Sequence, residues 1–139
     1  MFTLDARLKA DTIPVGALEL CRVLLMNDAR FAWVILVPAR DGLREIHDLD
    51  ASGRSLLIEE VAVVSQALEG LYQPDKINVG ALGNIVPQLH VHIVARHEGD
   101  AAWPGPVWGA GKAVPYDAAA LKAVIGGFGA AIKGLGQEK

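Results

Sequence analysis

A single cysteine, Cys21, occurs in the 139 residues, so an internal disulfide is excluded and packing alone must hold the chain together. Charge of one sign is lacking as well: 13 Lys and Arg stand against 16 Asp and Glu, without the basic excess that general nucleic-acid binding needs. No apolar run approaches the ~18 residues of a membrane span. The opening MFTLDARLKAD is charged from Asp5 onward and has no signal-like apolar stretch, so the expected setting is the cytoplasm. Internal repeats and low-complexity linkers are absent too. What is present is 52% hydrophobic residues, enough for one core, and one domain over 1–139 is expected.

Two periodicities organise the chain. Gly16 to Met26 and Phe31 to Pro38 are apolar and β-compatible, and Asn27-Asp28-Ala29-Arg30 between them is a turn, which predicts a hairpin. From Ser52 to Tyr72, Leu57, Val61, Val64, Leu68 and Leu71 step by four and three along one helix face, with Glu59, Glu60, Gln66 and Glu69 largely elsewhere. Asp50 or Ser52 caps this helix and Pro74 ends it. Lys76 to Leu82 and Gln88 to Arg96 give two further strands, and helices are expected near Asp5 to Ala10 and after Asp117. The order predicts an α+β domain, an antiparallel sheet packed with helices.

The stretch Gln88-Leu89-His90-Val91-His92-Ile93-Val94 alternates polar and apolar residues. In a strand, alternate side chains share a face about 6.6 to 7 Å apart, so Gln88, His90 and His92 point one way and Leu89, Val91 and Ile93 the other. Burying unpaired imidazoles is costly, so the polar ladder is expected to line a cleft. A solvated strand face is the plain alternative. Zinc ligation would need a third ligand such as His47 or His97, and no metalloprotease spacing supports it; no metal or other cofactor is expected. Phosphoryl chemistry suits the pair better. A neutral imidazole attacks phosphorus, a neighbouring protonated one holds an oxygen, and an ordinary pKa near 6.5 makes both forms accessible.

The same run resembles the signature of the histidine triad (HIT) family, His-φ-His-φ-His-φ-φ with φ apolar, with Gln88 at the first histidine. The order of Leu25-Met26-Asn27-Asp28, Trp33 to Pro38, Glu45-Ile46-His47-Asp48-Leu49, the long helix and Gly83-Asn84-Ile85-Val86 extends the resemblance over about residues 1–100, leaving 101–139 as a family-variable segment. The resemblance implies a five-stranded antiparallel sheet with a long helix on it, and usually a homodimer. It also implies a hydrolase or transferase of nucleoside 5′-phosphate derivatives, such as phosphoramidates or dinucleoside polyphosphates. By motif, His90 is the nucleophile that forms a nucleotidyl-histidine, His92 donates to a phosphate oxygen, and Gln88 orients the site. Asn27 matches a residue near the ribose hydroxyls, and Asn84 a residue touching phosphate or leaving group. The alternative is a nucleotide-binding or scaffold protein of the same fold with lost or very weak catalysis.

Three departures motivate that alternative. Gln88 replaces the first histidine, Trp33 stands where several relatives carry a histidine behind the site, and Ile85 stands where relatives often have a hydroxyl that assists the leaving group. Gln88 beside Trp33 is expected to keep the hydrogen bonding of a histidine pair. Asn78, on a strand, either faces the cleft or makes a cross-strand hydrogen bond. Cys21 reads as a core residue, His47 as a solvated surface histidine, and Arg96 as a solvated flank. Trp103 and Trp108, in a Pro/Gly-rich segment, either stack a base or pack over the sheet edge.

Overall fold

A computed structural model describes residues 1–136; residues 137–139 of the expected domain lie outside the described residues. In chain order the elements are α1 (Ala6–Asp11), β1 (Thr12–Ala17), β2 (Cys21–Met26), β3 (Ala32–Pro38), a 3-10 turn (Ile46–Asp48), α2 (Ala51–Tyr72), β4 (Lys76–Gly80), β5 (Val91–Arg96) and α3 (Ala118–Ala131). The sheet runs β1-β2-β3-β5-β4, with every neighbouring pair antiparallel. This is the expected α+β architecture, and β2 and β3 form the expected hairpin.

The alternation of the strands sorts the core into two layers. Val23, Leu25, Val34, Leu36, Val91 and Ile93 pack beneath α2. Leu24, Trp33, Ile35, Val37 and Val94 form the other layer, against Leu8 of α1 and Val107 of the C-terminal segment. The α2 helix begins where the Asp50 carboxylate accepts from the Gly53 amide at 2.7 Å. It ends at Gln73, whose left-handed backbone (φ 49°) precedes Pro74. Leu57, Val61, Val64 and Leu68 are buried as expected, whereas Leu71, at the far end, is exposed.

Two expectations are corrected. Gly16 to Met26 is not one strand: the chain turns at 18–20, and an unforeseen strand, β1, precedes the turn. Glu60 is the reason. Expected on the outer face of α2, it is buried, and its two carboxylate oxygens accept from the amides of Leu20 and Cys21, each at 2.9 Å. Burial and the neighbouring Glu60 carboxylate push the Cys21 thiol far above its ordinary pKa, which makes it a core residue and no nucleophile. The second correction concerns Pro14 and Gly16, which disguise β1 in the sequence. An edge strand tolerates both, and a bulge separates them. Gly16 has no room for a side chain, since a Cβ there would lie 2.4 Å from the Gly136 carbonyl, and Ala17 and Gly136 exchange backbone hydrogen bonds across this edge.

The α3 helix tolerates Gly126, Gly127 and Gly129 because burial of Phe128, edge-on to Tyr72 with ring centroids 6.3 Å apart, anchors it to α2. Among the described residues no helix is long and apolar enough to cross a membrane.

Glu60→Ala leaves two buried amides without an acceptor, and the unfolding free energy measured in urea should fall by about 3 kcal/mol. An unchanged denaturation midpoint would show that water satisfies these amides equally well.

Candidate functional site

The second sheet face carries the histidines. Strand β5 starts only at Val91, so Gln88 and His90 lie before the strand, not within it. Alternation nevertheless persists from Leu89 onward, with Leu89, Val91 and Ile93 in the layer under α2. His90 and His92 sit together on the opposite face, ring centroids 4.9 Å apart and nearly perpendicular.

Each ring is fixed by its Nδ1. His90 Nδ1 lies 2.7 Å from the backbone carbonyl of Gln88. A carbonyl only accepts, so Nδ1 carries the proton and Nε2 keeps the lone pair. His92 is the mirror case. The Trp33 indole N–H donates to His92 Nδ1 at 3.0 Å, which leaves the proton on Nε2. Burial first, and the neighbouring His90 second, push the His92 pKa down to about 4, so this imidazole is neutral at pH 7. The expectation of a readily protonated second histidine is corrected on that ground. Both histidines are buried, at 6% and 5% exposure, yet neither Nε2 is sealed in without a partner.

These rings line a cavity of about 340 Å³ with Leu8, Met26, Asn84, Ile85 and Trp108. The α1 helix therefore supplies a wall that the sequence did not announce, with Arg7 and Asp11 also on it. Trp108 stands edge-on to His92 at 5.3 Å and to Trp33 at 6.5 Å. It also fills the space over Gly80, where a Cβ would come within 2.9 Å of the indole. Trp103 lies elsewhere, facing the Arg96 guanidinium at 5.7 Å.

The remaining expected site residues divide. Asn84 is exposed at the cavity, beside His90 and His92. Asn27 lines an adjoining cavity of about 600 Å³, which shares Arg7, Asp11, Met26, Trp33 and Gly109 with the first. Its side-chain oxygen accepts from the Tyr116 amide at 3.0 Å. Asn78 does not line the histidine cavity; its side-chain oxygen accepts from Arg96 at 2.9 Å, a cross-strand contact. Arg96 is no solvated flank but a buried cation, doubly hydrogen-bonded to Asp100 at 2.7 and 2.9 Å. Hydrogen bonds from Arg96 and from backbone amides hold the Asp100 carboxyl well below the usual carboxylate range.

Gln88 is where the sequence misled most. Its side chain does not reach Trp33, because it precedes the strand and turns to the N-terminal arm. The amide oxygen accepts from the Asp5 amide, and the amide nitrogen donates to the Thr3 carbonyl, each at 2.8 Å. Orientation of His90 comes instead from the Gln88 backbone. His47 is exposed, as expected. Among the described residues no group of three or more His, Cys, Asp or Glu forms a metal site.

The neutral, buried state of His92 has a measurable consequence. The unfolded chain takes up this proton near pH 6.5 and the folded one only near 4. The unfolded state therefore binds more protons within that window, and stability falls as the pH falls through it, by up to about 3 kcal/mol. His92→Gln should lose that part of the slope in denaturation measured from pH 7 to 4. Trp33→Phe removes the donor to Nδ1 and should raise the His92 pKa, followed by NMR, by roughly one pH unit. No change would mean that burial alone keeps the ring neutral.

Comparison with known proteins follows the geometry. The sequence profile described as HIT domain matches residues 7–99. A histidine triad protein from Bradyrhizobium japonicum is 46% identical, with 94% of this chain and 98% of that chain covered and a TM-score of 0.92. A histidine triad protein from Marinobacter aquaeolei VT8 is likewise 46% identical, with 97% and 98% covered and a TM-score of 0.94. A hypothetical histidine triad nucleotide-binding protein from Sulfolobus tokodaii shares the fold at 16% identity, with 88% and 84% covered and a TM-score of 0.65. No curated protein matches the chain. An alternating strand that pairs two tautomer-fixed histidines over a cavity, together with these matches, places the chain in the histidine triad family, a family of nucleotide-binding hydrolases and transferases.

Proposed function

We propose that this protein is a hydrolase or transferase of nucleoside 5′-phosphate derivatives that works through a nucleotidyl-histidine at His90. The observation that carries this reading is the 2.7 Å contact between His90 Nδ1 and the Gln88 carbonyl, which leaves the Nε2 lone pair free at the cavity. In the first step that lone pair attacks the α-phosphorus. A phosphorus–nitrogen bond forms, the bond to the leaving group breaks, and its electron pair departs with that group. Water or another acceptor then attacks phosphorus, the phosphorus–nitrogen bond breaks, and the electron pair returns to Nε2.

His92 acts as a neutral donor. Its Nε2–H, fixed by the Trp33 indole on the other side of the ring, is directed to a non-bridging phosphoryl oxygen, where negative charge grows in the transition state. A donor that does not ionise at pH 7 cannot lose its proton to the phosphate. Asn84 supplies a second polar contact from the exposed loop, toward phosphate or leaving group. The adjoining cavity, with Asn27 at its wall, takes the nucleoside, and the largely apolar layer of Leu8, Met26, Ile35 and Trp108 excludes water from its inner end. Gln88 enters through its backbone, which orients the nucleophile. Asn78 has no part in this scheme, since Arg96 occupies its side chain. A small-molecule nucleotide is the partner, and a homodimer and a cytoplasmic setting remain part of the proposal.

Incubation with adenosine 5′-phosphoramidate and with a diadenosine polyphosphate tests the reading. Wild-type protein should turn over at least one of them. His90→Ala should abolish turnover, and His92→Gln should lower kcat about 10²–10³-fold, the scale for loss of one oxyanion donor. Nucleotide binding without turnover, unchanged in His90→Ala, would instead establish a binding protein of the same fold.

A further inference from the structure

His90 borders two cavities. Besides the one described above, a groove of about 270 Å³ lies against the same ring, lined by Arg44, Glu45, His47, Leu82, Gly83 and Gln88 among others. Leu82 and Gly83 also line the first cavity, so this stretch of loop forms the divide between the two. The walls differ in chemistry. The first cavity is built largely of Leu8, Met26, Trp33, Ile35 and Trp108, while the second sets a guanidinium and an imidazole beside His90.

The polar side of the groove is stitched to the histidine segment. The Leu89 amide donates to the Leu43 carbonyl at 3.0 Å, so Arg44 follows directly on a residue hydrogen-bonded to the neighbour of His90. The Asp48 carboxylate accepts from the amides of Arg44 and Glu45, at 3.1 and 2.9 Å, and thereby holds the turn that presents Arg44 and His47. Both side chains are exposed, and among the described residues neither side chain makes a hydrogen bond or ion pair. Glu45 is the one carboxylate in the lining.

We propose that this groove is a leaving-group subsite for a phosphate-bearing leaving group, so that the preferred substrate is a nucleotide joined by a phosphoanhydride to a further phosphate. The assignment rests on the reaction proposed above. As the His90 Nε2 bond to the α-phosphorus forms, the anhydride bond breaks on its bridging oxygen, and the electron pair leaves on that oxygen as part of a phosphate anion. Arg44 and His47 hold the departing anion through N–H donors. No proton is needed at that moment. An amine leaving group, by contrast, must acquire a proton as it departs, and the dividing loop offers Leu82, Gly83, Asn84, Ile85 and Val86, none of them an acid. Ile85, 70% exposed, stands at this place with an inert side chain.

The experiment compares kcat/KM on diadenosine triphosphate and on adenosine 5′-phosphoramidate for wild type, Arg44→Ala, His47→Ala and Glu45→Gln. The wild type should favour the anhydride. Arg44→Ala should lower the ratio of the two values about tenfold, as expected for loss of one charge-assisted contact at a partly solvated site. His47→Ala should lower it less, and Glu45→Gln should raise it. Inorganic pyrophosphate should inhibit wild type more strongly than Arg44→Ala. A wild-type preference for the phosphoramidate, or a ratio untouched by Arg44→Ala, overturns the subsite while leaving the His90 reaction standing. Absence of His90-dependent turnover on both substrates overturns the reaction itself.

Discussion

The site depends on which end of one imidazole is left free. Held 2.7 Å from the Gln88 carbonyl, His90 must keep its proton on Nδ1, and Nε2 becomes its basic, nucleophilic end. A backbone carbonyl is an acceptor that no change of pH or side chain removes, which makes it a dependable anchor for a tautomer. The carbonyl stands where it does because the chain enters β5 at Val91, between β3 and β4, with Leu89 and Val91 committed to the layer under α2. Fold and reactivity are thus joined through the pleat of one strand.

His92 is built on the opposite principle. Two indoles surround it, one donating to Nδ1 and one edge-on, and the ring stays neutral in a dry environment. Where a pair of histidines would share a proton, an indole and an imidazole cannot, because the indole N–H only donates. In the proposed reaction this yields a fixed dipole instead of a titrating cation. Trp108 contributes from beyond the stretch 7–99 that the family profile matches, so the C-terminal segment is a wall of the cavity as well as a cover for the sheet.

Much of this was legible in the sequence, because it was written in periodicities. The steps of four and three along α2, the turn at Asn27 to Arg30 and the alternation through His90 and His92 all survive in three dimensions. The unread features belong to contacts distant in sequence. Glu60 looked like a surface acid because the period of its helix says nothing of the two amides of the β1-β2 turn that need an acceptor. Arg96 looked like a flank because Asp100 and Asn78 meet it only after folding. The role of Gln88 was misjudged by extending the strand too far, to a residue whose side chain serves the N-terminal arm. The walls from α1 escaped notice for the same reason: a cavity belongs to tertiary structure, and Leu8 or Asp11 carries no local sign of it.

The central claim is that Nε2 of His90 bonds to phosphorus. Its most direct test is to quench the wild-type protein during turnover of a nucleotide substrate, isolate the peptide containing 88–96, and determine its mass and the site of its adduct by NMR. The account predicts a nucleoside monophosphate adduct on the Nε2 nitrogen of His90. Turnover with no adduct on that ring, or an adduct on Nδ1, would contradict it.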